Sequence, residues 1–159
     1  MKQCPSFTEV ITAGSRNAYE SGAGGYGYNN TYVGARIRWG GDISSGSRRT
    51  EIANPAGTIM FADAAMAQAD GQGEYLTEES FIYPPYMLNG QKPASEWGLA
   101  VPTMHFRHGG RANIAWCDGH VDLRQMSFSY PGQTAYGADP QQWGLGWYGP
   151  KDNSLFGEP

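Results

Sequence analysis

Between Pro102 and Met126 apolar side chains recur at every second position, and turn dipeptides interrupt the run twice. Met104 and Phe106 alternate with polar neighbours before Gly109-Gly110. Ile114 and Trp116 alternate before Asp118-Gly119, and Val121 and Leu123 resume the pattern. A period of two is the mark of a half-buried strand, and Gly-Gly and Asp-Gly supply the positive φ that tight hairpins need. The stretch predicts a three-stranded antiparallel meander over residues 102–125 or so. A loop from Gly109 to Arg111 pairs Phe106 with Ile114 and Met104 with Trp116. A two-residue turn at Asp118-Gly119 pairs Trp116 with Val121 and Ile114 with Leu123. The expected core face is Met104, Phe106, Ile114, Trp116, Val121 and Leu123, because a one-residue slip would scatter these side chains.

Composition agrees with a loop-heavy domain. Only 16% of the 159 residues are charged, and 23 are glycine. That balance suits an α+β fold with an antiparallel sheet and long Gly- and aromatic-rich loops, and it argues against a helical bundle. One domain spanning residues 1–159 is the natural size. The net charge of −4 and the scattered Lys and Arg argue against nucleic-acid binding, which needs a concentrated basic face.

Along the chain, Thr8 to Ala13 reads as a short helix with Ser6 as its N-cap. The Gly/Tyr/Asn-rich segment from Ser21 to Gly34 reads as a loop entering a strand from Asn30 to Val33. Arg48 to Asn54 reads as a further strand, and Thr58 to Ala62 as a buried one. Asp63, just past its end, is expected to cap the following turn. Ala64 to Gly73 reads as a loop or helical turn, and Tyr83-Pro84-Pro85-Tyr86 as extended backbone. The aromatic residues of the tail, Phe128, Tyr130, Trp143, Trp147, Tyr148 and Phe156, are expected to clasp it onto the domain.

The residues themselves offer three chemistries. His105, His108, Asp118 and His120 are metal-ligand types, but His108 and Asp118 fall at opposite ends of one strand, so structural roles are expected and no metal site. Cys117 and His120 flank a tight turn and form the most enzyme-like pair, with Asp118 working against a thiolate. No catalytic residue is expected. Cys4 and Cys117 either pair as a disulfide or remain free thiols.

His108, nine intervening residues, then Asp118-Gly119 reads as H-x9-DG. This resembles the C-terminal signature of a family of pilin-like proteins related to type II secretion pseudopilins. Cys4-Pro5-Ser6, Tyr26-Gly27-Tyr28-Asn29, Asn54-Pro55 before Thr58-Ile59-Met60-Phe61-Ala62-Asp63, Gly146-Trp147-Tyr148 and Asp152-Asn153-Ser154-Leu155-Phe156 are similar to the same family, in the same order. The resemblance implies a globular head whose sheet packs on an N-terminal membrane helix, so the chain is expected to be a truncation lacking that helix. It implies a non-enzymatic filament subunit, periplasmic or at the cell surface, whose partners are other pilin-like subunits and the secretion machinery. His108, Gly109, Gly110, Asp118 and Gly119 would be structural motif residues. Relatives that bind calcium in a C-terminal loop direct attention to Asp139, Asp152, Asn153 and Glu158; otherwise no cofactor is expected. The alternative is an extracellular module binding carbohydrate or peptide through Trp97, Trp143 and Trp147.

Overall fold

The computed structural model describes residues 4–7, 24–34, 37–38, 42–43, 46–86, 101–131 and 136–157. The expected helix from Thr8 to Ala13, together with Trp97 and Glu158, lies outside them. Among the described residues ten strands are formed: β1 (Tyr26–Tyr28), β2 (Ile37–Arg38), β3 (Asp42–Ile43), β4 (Ile59–Asp63), β5 (Met66–Asp70), β6 (Gly73–Thr77), β7 (Met104–His105), β8 (Arg111–Trp116), β9 (Val121–Gln125) and β10 (Leu145–Gly146). A four-stranded antiparallel sheet in the order β1-β4-β8-β9 is joined by the two-stranded ladders β2-β3, β5-β6 and β7-β10. With single-turn helices between them, these make a small α+β arrangement. Among the described residues no helix is long and apolar enough to cross a membrane.

The strand expected over Thr58 to Ala62 forms as β4, one residue later at Ile59–Asp63, and its position explains why the meander does not form. The apolar β4 occupies the centre of the sheet and takes the β8 edge that β7 was expected to fill. β7 pairs instead with β10, His105 opposite Leu145 and Met104 opposite Gly146. Gly109 and Gly110, at φ 65° and 81°, let the chain turn between β7 and β8 without a ladder. Only the β8-β9 hairpin survives from the meander.

Its register also differs by one residue. Trp116 donates its N–H to His120 O at 3.0 Å and accepts Gly119 N–H at 2.9 Å, which makes Cys117–Gly119 a three-residue loop. Gly119, at φ 98°, supplies its left-handed residue. Ala115 therefore faces Val121, and Ile114 faces Asp122. The slip moves Val121 and Leu123 to the outer face, where they are 63% and 44% exposed. The inner face of β8 is Ala112, Ile114 and Trp116, packed with Met104, Phe106, Ile59 and Trp147.

Three more local expectations are corrected. Asn30–Gly34 is a π-helical turn, not a strand, because buried Asn29 organises it. The Asn29 amide donates to Ile59 O at 2.8 Å and Phe156 O at 2.9 Å, while Gly34 N–H returns to Asn29 O. Arg49–Glu51 is a 3-10 turn, closed by the Glu51 carboxylate on Arg48 N–H. Ala64 to Gly73 contains a strand: β5 pairs along its whole length with β6, since Ala65 and Ala67 are small enough to lie flat in a second core with Cys4, Phe7, Leu76 and Leu145. The tail is clasped by its aromatics as expected. Trp147 and Phe156 are buried, and Phe128 stacks on Trp147 with ring centroids 5.4 Å apart.

Candidate functional site

β4 ends at Asp63, opposite Tyr26 of β1 and beside β8. Burying a carboxylate is costly unless its lone pairs are satisfied, and Asp63 is fully buried. Oδ1 accepts from Arg107 Nη2 at 2.6 Å. Oδ2 accepts the Asn113 backbone N–H at 2.7 Å and the Asn113 amide at 3.0 Å, and His108 Nε2 stands 3.1 Å from it. Asp63 is thus the hub of a cluster, and the expectation that it caps a turn is overturned.

Arg107 is held through both terminal nitrogens, while its buried Nε has no hydrogen-bond partner among the described residues. Its Nη2 also donates to Gly25 O, and its Nη1 donates to Ala64 O at 3.2 Å and to His105 Nδ1 at 3.1 Å. The guanidinium carbon lies 4.8 Å from the centre of the Phe7 ring, a cation–π contact. His105, 6% exposed, is therefore kept neutral: burial, then the charges of Arg107 and His108, push its pKa down to about 3.

The N-terminal segment closes the cluster. Cys4 N–H donates to Gly24 O at 2.9 Å, which places Sγ 3.9 Å from His108 Nε2. Ser6 Oγ stands 3.5 Å from the other ring nitrogen, Nδ1. Tyr26 adjoins this end, and burial, then the Cys4 thiol, raise its phenol pKa. Cys4, Asp63 and His108 are the group of three potential metal-ligating side chains among the described residues.

Cys4 is not placed as the nucleophile of a triad, whereas Ser6 Oγ does stand on the ring nitrogen opposite Asp63, at 3.5 Å. Such a triad needs the carboxylate on one imidazole nitrogen and the nucleophile on the other. Here Cys4 and Asp63 both address Nε2. No proton can pass through the ring from thiol to carboxylate.

The other end of the H-x9-DG stretch is a fastening point. Asp118 N–H donates to Pro55 O and Cys117 N–H to Thr58 O, which tie the hairpin loop to the entry of β4. Asp118 Oδ1 accepts from His120 N–H at 3.1 Å and Nδ1 at 2.6 Å. Those bonds hold its carboxyl below the usual range. His120 stacks on Trp116 at 5.5 Å and turns toward Asp118. Burial and Asp118 push the Cys117 thiol up, so Cys117 and His120 make no activated pair.

His105, His108, Asp118 and His120 are not gathered into one site. His108 and Asp118 flank opposite ends of β8, as the sequence implied. Both cysteines are free. Cys4 lies at the Asp63 end of β4 and Cys117 at the Thr58 end, five residues and roughly 16 Å away at strand rise, beyond disulfide reach. Of the two alternatives the sequence left open, free thiols are the one the structure has.

The residues considered for calcium have local duties. Asp139 accepts from Gln141 N–H, and Asp152 from Ser154 N–H and Oγ. Asn153, buried, bridges Tyr32 and Tyr86. Trp147 offers no ligand platform, because it is buried with its indole N–H on Tyr83 O. Trp143 is anchored to Glu74 at 2.8 Å.

Sequence reasoning missed Arg107 and Asn113, and it missed the meeting of Cys4 with His108. An acid ending an apolar strand beside a later Arg-His pair was the only available hint. No family model, curated protein or solved structure matches the chain.

Proposed function

We propose that this chain is a non-enzymatic structural subunit, the head of a pilin-like protein of the kind related to type II secretion pseudopilins. The observation that carries the reading is how both ends of the H-x9-DG stretch are used. His108 leans on Asp63 and brings Cys4 and Ser6 onto the sheet. The Asp118-Gly119 loop is tied to Pro55 and Thr58. Each end fastens distant segments.

A filament head must hold its shape under load while offering apolar surface to neighbours. The outer row Tyr28, Phe61, Ala115 and Val121 fits that need, with Val121 63% exposed. Localisation in the periplasm or at the cell surface, and partnership with like subunits and secretion machinery, belong to the same proposal.

The test is the coding sequence upstream of the codon for Met1. The reading expects a short basic leader followed by about 20 apolar residues, enough to span a bilayer. A gene that opens at Met1 without such a segment would overturn it.

A further inference from the structure

Cys4 Sγ, a carboxylate oxygen of Asp63 and a ring nitrogen of His108 lie within 4.8 Å of one another, although they come from three separate parts of the chain. Zinc binds sulfur at about 2.3 Å and imidazole nitrogen or carboxylate oxygen at about 2.0–2.2 Å, so a tetrahedral ion holds its ligand atoms about 3.3–3.6 Å apart. The structure gives 3.9 Å from Cys4 Sγ to His108 Nε2 and 3.1 Å from Nε2 to Asp63 Oδ2. These two distances need to change by only a few tenths of an ångström, while Cys4 Sγ and the Asp63 oxygen, within 4.8 Å, would close by up to about an ångström.

The surroundings are those a metal ligand set needs. A ligating histidine is oriented by a partner on its other nitrogen, and Ser6 Oγ stands 3.5 Å from His108 Nδ1. Asp63 is fixed by the two Asn113 donors on Oδ2 and by Arg107 on Oδ1. Oδ2, the oxygen that faces His108, would share its lone pairs between the ion and the Asn113 donors. Cys4 and Asp63 are buried, while the His108 side chain is 25% exposed and opens the fourth position to water.

We propose that Cys4, Asp63 and His108 bind one divalent ion of the zinc class, with water as the fourth ligand. A sulfur, nitrogen and oxygen set suits a borderline-soft cation and not calcium or magnesium. On binding, the ion comes between His108 Nε2 and Asp63 Oδ2. The thiol proton leaves to solvent, and the imidazole proton moves to Nδ1, from which it donates to Ser6 Oγ. The inference does not depend on the filament reading, since a metal clasp would serve a head of any function.

Cobalt(II) titrated into untagged protein tests it. The expected result is one equivalent bound with a thiolate-to-cobalt charge-transfer band, displaced by zinc. Cys4→Ser should abolish the band and weaken binding by about tenfold or more, and Cys117→Ser should leave both unchanged. Absence of the band, or its persistence in Cys4→Ser, would overturn the proposal. Mass-spectrometric alkylation of the unmutated protein gives an independent reading should Cys4→Ser fail to fold. Zinc must protect Cys4 and not Cys117; equal labelling of Cys4 with and without zinc overturns the proposal.

Discussion

Replacing Asp63 by Asn removes the acceptor on which the cluster is built while keeping its shape. An Asn amide offers one acceptor oxygen and turns an NH2 group toward donors. Asp63 now receives Arg107 on one oxygen and Asn113 and His108 on the other. Whichever way the amide points, one buried donor set faces another donor, and the Arg107 charge keeps only the Gly25 and Ala64 carbonyls and the His105 ring nitrogen. Breaking one side of a buried ion pair costs about 3–5 kcal/mol. For a chain of this size each kcal/mol lowers Tm by about 2–4 °C, so Asp63→Asn should melt about 6–20 °C below the parent. Arg107→Met should cost a similar amount by stranding the carboxylate. The double variant should cost clearly less than the sum, because it strands no charge. Urea and thermal unfolding followed by circular dichroism would measure all three. A loss under about 1 kcal/mol for Asp63→Asn, or an additive cycle, would refute the hub described above.

Buried, neutral His105 makes stability depend on acid. Its folded pKa of about 3 lies below an unfolded value of about 6.5, so the unfolded chain binds more protons between these limits. Stability should therefore rise with pH through that window, and fall by about 1.4 kcal/mol per unit on acidification from about pH 6.5. His105→Asn should flatten this slope in urea titrations at several pH values; an unchanged slope would show another group is responsible. The hairpin register is tested by a pair of truncations. Ile114→Ala should cost about 2–5 kcal/mol, whereas Leu123→Ala on the outer face should cost under about 1 kcal/mol. Equal losses would restore the other register. Gly25→Ala should destabilise by at least about 1–2 kcal/mol, since Gly25 sits at φ 80° and a Cβ there would lie 2.8 Å from the Phe7 ring and 3.0 Å from Arg107 Nη2. A neutral result in thermal melts would mean the N-terminal segment does not pack on Arg107.

What could be read from the sequence follows the range of the forces involved. The β4 strand, the β8-β9 hairpin and the aromatic clasp of the tail were legible because short apolar runs, an Asp-Gly turn and a cluster of rings report local or bulk preferences. The partner of β8 was not, because alternation marks a strand without saying which strand lies beside it. The register failed for a finer reason: Asp-Gly fits a two-residue and a three-residue loop equally, and one residue decides which face Val121 shows. Asn30 to Val33 looked extended from its residues, yet the buried Asn29 side chain imposed a turn from outside the segment. For the site, His108 was visible as a motif residue, but its partners Cys4 and Asp63 lie 104 and 45 positions upstream (108 − 4 and 108 − 63). No spacing rule connects them.

In the proposed function the Cys4–His108–Asp63 cluster holds segments together and does not activate a nucleophile. Alkylation of Cys4 in metal-stripped protein tests this most directly, read residue by residue in mass spectra. With Cys4 only 2% exposed and His108 turned to Asp63, its labelling should be far slower than that of the unfolded chain and should accelerate only with urea. Labelling faster than an ordinary free thiol, lost in His108→Ala while the fold persists, would contradict the account and establish a reactive thiolate.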